Sequence, residues 1–206
     1  STVSGKLIYK RPERVSFFCL MEFKFGTNFA IGMVDLPIDL PLLAKTCLEK
    51  EKELLKLPCD SHSEIASIER IRSIGLNEKQ VSTRSMQYNL FDWDTPETRK
   101  LYTCSLESLK EYNNKLGDST PEVYIQAWLN VLRLGESIKK HHHNDDGYLT
   151  ANFTVQCDKT YTCYDPIKEE NVDGRFTIFP SYVPHYTTEH TSEKERITIA
   201  MDFIVR

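Results

Sequence analysis

The sequence predicts an α+β fold, in which helices and a few strands over residues 1–120 support a compact β core over residues 121–206. Two observations carry that reading. Two segments place their apolar residues at helical spacing, and the stretch after Pro121 is a succession of short β-forming runs broken by Asp, Gly and Pro. At 206 residues the chain fits one domain built around a single core.

Taken in order, the first 40 residues alternate short apolar runs with Gly26, Gly32, Pro37 and Pro41, which reads as strands and turns. Residues 39–57 then read as a helix. Leu43, Cys47, Leu54 and Leu57 share one face, Lys and Glu occupy the other, and Pro41 suits the first turn. Thr95-Pro96-Glu97 opens a second helix with a capping hydroxyl, a proline and an acid favoured by the helix dipole. Its apolar face uses Leu101, Leu109, Tyr112 and Leu116, and Gly117 ends it. Residues 123–132 are rich in β-formers and run towards Gly135, and further strands are expected at 148–156, 160–164, 175–179 and 197–205. Several strands at such short spacing suggest a sandwich or barrel.

Composition narrows the class. With 40% hydrophobic and 27% charged residues the chain has the make-up of a folded globular protein. The 26 Lys and Arg against 30 Asp and Glu give a net charge of −4, the reverse of the basic excess expected of a polynucleotide-binding domain, so nucleic acid is not the expected partner. No apolar run approaches the roughly 20 residues that span a bilayer. The longest near the start, Phe17-Phe18-Cys19-Leu20-Met21, is also too short for a signal-peptide core. A cytoplasmic protein without a membrane span is expected. Its six cysteines form no CxxC pair, so free thiols are expected, with Cys157 and Cys163 the pair that a short hairpin could bring together.

The chemistry is concentrated in the histidines. His141, His142 and His143 are consecutive, and on an extended chain His141 and His143 point to one side while His142 faces away. Two imidazoles so placed can share a metal ion, although a His run among Lys139, Lys140, Asn144, Asp145 and Asp146 also fits a solvated turn. A second element shifts the balance. Residues 174–185 form a strand that ends at Pro180, turns, and reaches His185. Arg196 follows eleven positions later, with Thr198 on the same side of its strand, a guanidinium and a hydroxyl suited to a carboxylate. By itself Arg196 would read as a surface residue paired with Glu193 or Glu195.

Together the spacings Gly135-x5-His141-x-His143 and Gly174-x5-Pro180-x4-His185 resemble the paired motifs of the double-stranded β-helix, the cupin-type jelly roll. The glutamate that metal cupins carry after His-x-His is replaced here by Gly147 or Tyr148, and Tyr182 stands where they have glycine. The stretch 81–206 more closely resembles a bacterial and phage family of 2-oxoglutarate-Fe(II) oxygenases. The resemblance rests on Trp128-x-Asn130, Gly135, the His run, Asp165-Pro166, the Gly174 to His185 segment and Arg196-x-Thr198. The approach from Asn130 to His141 is also similar to that of nucleic-acid-dealkylating members of the superfamily, with Leu132 in place of their tyrosine.

That resemblance implies an Fe(II)- and 2-oxoglutarate-dependent oxygenase, a hydroxylase that uses O2 on an unidentified protein residue or small molecule. It implies metal ligation by His141, His143 and His185, with Asp145 as the alternative in a His143, Asp145 and His185 set. Charge favours the carboxylate and spacing to Gly135 favours three histidines. It further implies that Arg196 and Thr198 bind the co-substrate carboxylate and that Asn130 hydrogen-bonds it. Trp128, Tyr148 and Tyr182 are candidate substrate contacts, with Tyr164 among the aromatics near the mouth, and Arg84, Ser85 and Tyr88 are candidates to fold over the opening. Two further readings remain: a cupin-type metal enzyme that does not use 2-oxoglutarate, and a non-catalytic jelly-roll binding module. Structural zinc would usually call for four protein ligands, often with Cys, and no Cys lies beside either motif.

Overall fold

The computed structural model describes residues 20–60, 68–143 and 147–206. Asp145 and Cys19 therefore lie outside the described residues. Two antiparallel strands, β1 (Glu22–Phe25) and β2 (Ala30–Asp35), lead into helix α1 (Leu40–Leu54). A short helix α2 (Ile68–Ser73) and two 3-10 turns (Val81–Arg84 and Leu90–Trp93) precede the long helix α3 (Pro96–Leu116). Seven strands follow: β3 (Val123–Leu132), β4 (Leu149–Gln156), β5 (Tyr161–Tyr164), β6 (Ile167–Glu170), β7 (Arg175–Pro180), β8 (Tyr186–Thr187) and β9 (Arg196–Val205).

Both long helices start where the chain encodes a cap. Asp39 Oδ1 accepts from the Leu42 amide at 3.1 Å, and Pro41 occupies the first turn of α1. At α3 the Thr95 hydroxyl accepts from the Thr98 amide while Thr98 accepts from the Thr95 amide, a reciprocal pair that satisfies two otherwise orphaned donors. Gly117 closes α3 at φ 81°, a conformation that glycine enters without a Cβ clash. The expected faces hold except at their ends. Leu57 lies beyond α1 and Leu116 sits in the last turn of α3, and both are 38% exposed.

The strands form a six-stranded antiparallel sheet in the order β1-β2-β7-β4-β9-β3 and a three-stranded antiparallel sheet β6-β5-β8. The N-terminal strands thus extend the same sheet that holds the C-terminal core, with Gly32 opposite Ile178. Alternation sets the two faces of that sheet. Ile125, Leu129, Phe153, Ile199, Met201 and Phe203 point to the side covered by α1 and α3, where they join Leu43, Cys47, Leu101 and Leu109 in one apolar cluster. The Tyr112 hydroxyl donates to the Ala30 carbonyl at 2.9 Å and pins α3 across β2. The other face, carrying the even-numbered residues of β3, β4 and β9, looks towards the smaller sheet and encloses a cavity of about 200 Å³. This is a double-stranded β-helix with helical support on one side.

The sequence expectation misses the strand β6 and the short helix α2. β3 stops at Leu132, and Arg133 to Gly135 form a turn with Gly135 at φ 82°. The strand β6 and the short helix α2 carry too few residues to show a period. Cys157 and Cys163 are both free, as expected: the Cys157 thiol donates to the Asn171 carbonyl at 3.0 Å, and burial pushes its pKa up to about 12.

Candidate metal centre

The His run is positioned by backbone pairing across the cavity mouth. His141 and His185 exchange both amide-to-carbonyl bonds, at 3.0 and 2.9 Å, and the His143 amide donates to Ser181. This extends the run, so alternation sends His141 and His143 inward while His142 is exposed. Among the described residues His141, His143 and His185 form a group whose candidate ligand atoms all lie within 4.8 Å of one another. Their ring centroids are 4.4 to 5.2 Å apart.

Each ring has its Nδ1 committed elsewhere. His141 Nδ1 lies 2.8 Å from the Lys139 carbonyl, His185 Nδ1 3.0 Å from the Val183 carbonyl, and His143 Nδ1 2.9 and 3.0 Å from the two Asp202 oxygens. A carbonyl or carboxylate only accepts, so Nδ1 carries the proton and the neutral ring keeps its lone pair on Nε2. In metal proteins the ligating histidine is held by such a second hydrogen bond. Among the described residues, the buried His143 Nε2 has no hydrogen-bond partner, an orphan that an ion would satisfy. Burial, then the neighbouring His141 and His143, holds the His185 pKa well below the usual histidine value, which keeps it a neutral donor. Phe179 meets His185 edge-on at 4.9 Å and Trp128 stacks on His143 at 5.7 Å, so aromatic walls restrict the rings.

Deeper in the cavity Arg196 is only 2% exposed. Among the described residues no carboxylate pairs with it, its Nε has no hydrogen-bond partner, and burial lowers its pKa from the ordinary arginine value to about 10. The surface reading of Arg196 with Glu193 or Glu195 is thereby corrected: its even position on β9 directs it inward. Thr198, 1% exposed, stands two residues along the same face and directly opposite Asn130 on β3. Arg196, Thr198 and Asn130 all line the cavity that the three histidines line. A buried unpaired guanidinium is costly, and an anion entering the cavity would offset that cost.

Of the aromatic candidates, Trp128 lines the cavity and Tyr164 forms part of its buried wall. Tyr148 and Tyr182 do not. The Tyr148 hydroxyl donates to Asn113 on α3 at 3.2 Å, and Tyr182 is 51% exposed with its hydroxyl donating to the Asn28 carbonyl. Ser85 lines the cavity beside Met86, whereas Arg84 is buried in its own segment, donating to the carbonyls of Leu57, Glu78 and Gln80. Tyr88 accepts from the Leu129 amide at 2.8 Å, a strap on β3 rather than a lid. Sequence reasoning missed Asp202 and its partner Thr150, whose hydroxyl donates to Asp202 Oδ1 at 2.8 Å. The signal was present: Asp202 is the one acid of β9, at the same parity as Arg196 and Thr198.

No protein-family model and no curated protein matches the sequence. Solved structures do. A prolyl-4-hydroxylase from Pseudomonas putida is similar at TM-score 0.52 and 16% identity, covering 85% of this chain and 88% of its own. A Trichoplax adhaerens prolyl hydroxylase, solved with a peptide of the hypoxia inducible factor oxygen degradation domain, gives TM-score 0.45 at 14% identity over 57% of this chain and 61% of that one. A 2OG-Fe(II) oxygenase family protein from Burkholderia pseudomallei gives 0.42 at 10% over 54% and 59%. The chain thus spans about three fifths of the last two. At these identities the first likeness speaks for architecture: this chain has an α+β double-stranded β-helix fold similar to that of the Pseudomonas putida prolyl-4-hydroxylase.

Proposed function

We propose that the protein is an Fe(II)- and 2-oxoglutarate-dependent oxygenase that hydroxylates a protein residue or a small molecule. The observation that carries this reading is the buried Arg196, paired with no acid among the described residues, in the same cavity as three converging imidazoles. The donor set fits the metal: three imidazoles with their Nδ1 atoms held leave open positions for further ligands. When bound, Fe(II) and 2-oxoglutarate supply the oxidising chemistry, in which one atom of O2 enters succinate, formed with CO2, and the other enters a substrate C–H bond.

The chain's own residues do the rest. His141, His143 and His185 hold the metal, and Arg196 with Thr198 grips the far carboxylate of the co-substrate in a charge-assisted, bidentate geometry. Asn130, opposite Thr198, adds a hydrogen bond to the same ligand. Trp128 and Phe179 wall the histidines off from water, and Trp128 stands where a substrate would approach. Anaerobic titration of the Fe(II)-loaded protein with 2-oxoglutarate tests the reading. A metal-to-ligand charge-transfer band is expected, absent in His185→Ala and weakened at least tenfold in apparent affinity in Arg196→Ala, since a buried charge-assisted contact is worth about 1.5–3 kcal/mol.

The neutral, all-histidine donor set favours one second reading, a cupin-type metal dioxygenase that does not use 2-oxoglutarate. Metal binding with no band, and oxygen-dependent turnover indifferent to Arg196→Ala, would establish it instead.

A further inference from the structure

We propose that Asp202 is a positioning residue that supplies the site's missing carboxylate charge through His143, one hydrogen bond outside the metal. The inference rests on reading the three histidines as a metal centre, and it does not depend on 2-oxoglutarate.

The argument begins with where Asp202 sits. It lies on β9 between Met201 and Phe203, both fully buried, in the face that lines the cavity. Its side chain is 15% exposed. A carboxylate in such a place is costly unless its oxygens are paired. Its partners here are the Thr150 hydroxyl at 2.8 Å and His143 Nδ1, which lies within 3.0 Å of both oxygens. No Lys or Arg ion pair involves Asp202 among the described residues. Asp202 also does not belong to the group of converging ligand atoms, so it does not ligate directly.

A purely structural His143–Asp202 ion pair accounts for these contacts less well. As an imidazolium, His143 would carry a second N–H on Nε2, and that atom is buried without an acceptor among the described residues. As a neutral ring bonded to Asp202 through Nδ1–H, it turns a lone pair towards His141 and His185. The second form leaves a single unmet need, a cation. Once bound, that cation would polarise the imidazole towards Asp202, and the carboxylate would strengthen the ring as a donor. The Nδ1 atoms of His141 and His185 lie against backbone carbonyls, whereas that of His143 lies against a carboxylate. The charge of Asp202 thus reaches the donor set through the ring that Trp128 stacks on.

Metal alone is the probe. Co(II) titration of the chelator-stripped native protein is compared with Asp202→Asn, and the Fe(III)/Fe(II) potential is measured on the iron-loaded forms without co-substrate. Asp202→Asn is expected to bind Co(II) about 10–100-fold more weakly and to raise the potential, since the oxidised ion loses more from removal of the charge. Thr150→Val removes the hydroxyl that competes with His143 for Oδ1, so it is expected to shift the potential the opposite way. In a His143→Ala background Asp202→Asn should have no further effect on residual binding. Native affinity and potential in Asp202→Asn overturn the proposal, as does an equal loss in both backgrounds. Should the Asn variant not fold, an unshifted potential in Thr150→Val overturns it. A native protein that binds metal but shows no 2-oxoglutarate band removes the co-substrate reading and leaves this one standing, whereas a native protein that binds no metal removes both.

Discussion

Replacing Arg196 with Met should make the ligand-free protein more stable and much less responsive to 2-oxoglutarate. Arg196 is 2% exposed with its Nε unpartnered among the described residues, and burial depresses its pKa from the ordinary arginine value to about 10. The direction fixes the sign. A depressed folded pKa means that the folded state binds its proton less tightly than the unfolded chain does. The charged group therefore opposes folding at all pH values below about 10, and relief comes only as pH rises from there towards the ordinary arginine value. At about 1.4 kcal/mol per tenfold difference in proton affinity, the gap corresponds to a penalty of about 3 kcal/mol at neutral pH. Met fills most of the same volume without a charge, and replacing buried ionic groups with apolar ones typically gains about 1–4 kcal/mol. For a domain of this size that is a rise in Tm of about 2–4 °C per kcal/mol. Calorimetry of the chelator-stripped proteins at pH 7 measures the first half of the prediction. The second half is the ligand-induced shift: at a 2-oxoglutarate concentration near the native dissociation constant, Fe(II) with 2-oxoglutarate should stabilise the native protein by mass action and give the Arg196→Met variant little increment beyond that of metal alone. An Arg196→Met protein destabilised by more than about 1 kcal/mol in the ligand-free state would refute the reasoning, because a lost core contact of that order would mean the guanidinium is held by the fold rather than waiting for an anion.

Two further outcomes are expected. Trp128 stacks on His143 while the other tryptophan, Trp93, stacks on Tyr88, so Co(II) binding should quench a large part of the fluorescence. Trp128→Phe should abolish that quench, and a quench that survives would contradict the stacking geometry. In metal-free protein, the depressed His185 pKa contributes stability that is present above the ordinary value of 6.5 and is lost as pH falls, since the unfolded chain accepts a proton that the folded site refuses. The urea midpoint should therefore drop between pH 7 and pH 5, less steeply in His185→Gln; equal slopes would show that His185 protonates freely in the fold.

The parts of the fold that were legible are those with a local cause. Asp39 and Thr95 cap their helices because a side-chain oxygen three residues upstream of an amide reaches it wherever the chain turns helical. The inward set of β9 follows from strict alternation: once His185 fixes the face, Arg196 and Thr198 share a parity. Alternation also explains the misplacements. Tyr148 lies just before β4 begins and Tyr182 lies in the turn after β7, so neither is bound by the pleat, and each is decided by a distant partner, Asn113 or Asn28. The pairing of His141 with His185, which makes the site, is a long-range contact that no local pattern encodes, although the two glycine-anchored spacings foreshadow it. Asp202 was overlooked because an acid has no obvious meaning in a strand until the ring facing it is known.

Charge balance ties these residues together. On the proposed reading the cavity would receive a divalent cation and a dianionic co-substrate, whose charges cancel, so the protein's fixed charges should cancel too. A three-histidine donor set contributes none, which at first makes it a poor match for a site with a buried Arg196. Asp202 removes the discrepancy. One carboxylate and one guanidinium face the same cavity, on one strand six residues apart, and sum to zero both before and after loading. The carboxylate that a two-histidine set would place on the metal stands here behind a histidine, at hydrogen-bonding distance from its Nδ1. The separation has a consequence for design of the site: Arg196 lies towards the Leu132 end of β9 and Asp202 towards the Leu149 end, so the cavity carries a field from one end to the other. An anionic ligand entering it would be drawn with its free carboxylate towards Arg196 and away from Asp202, which orients the ligand before it meets the metal.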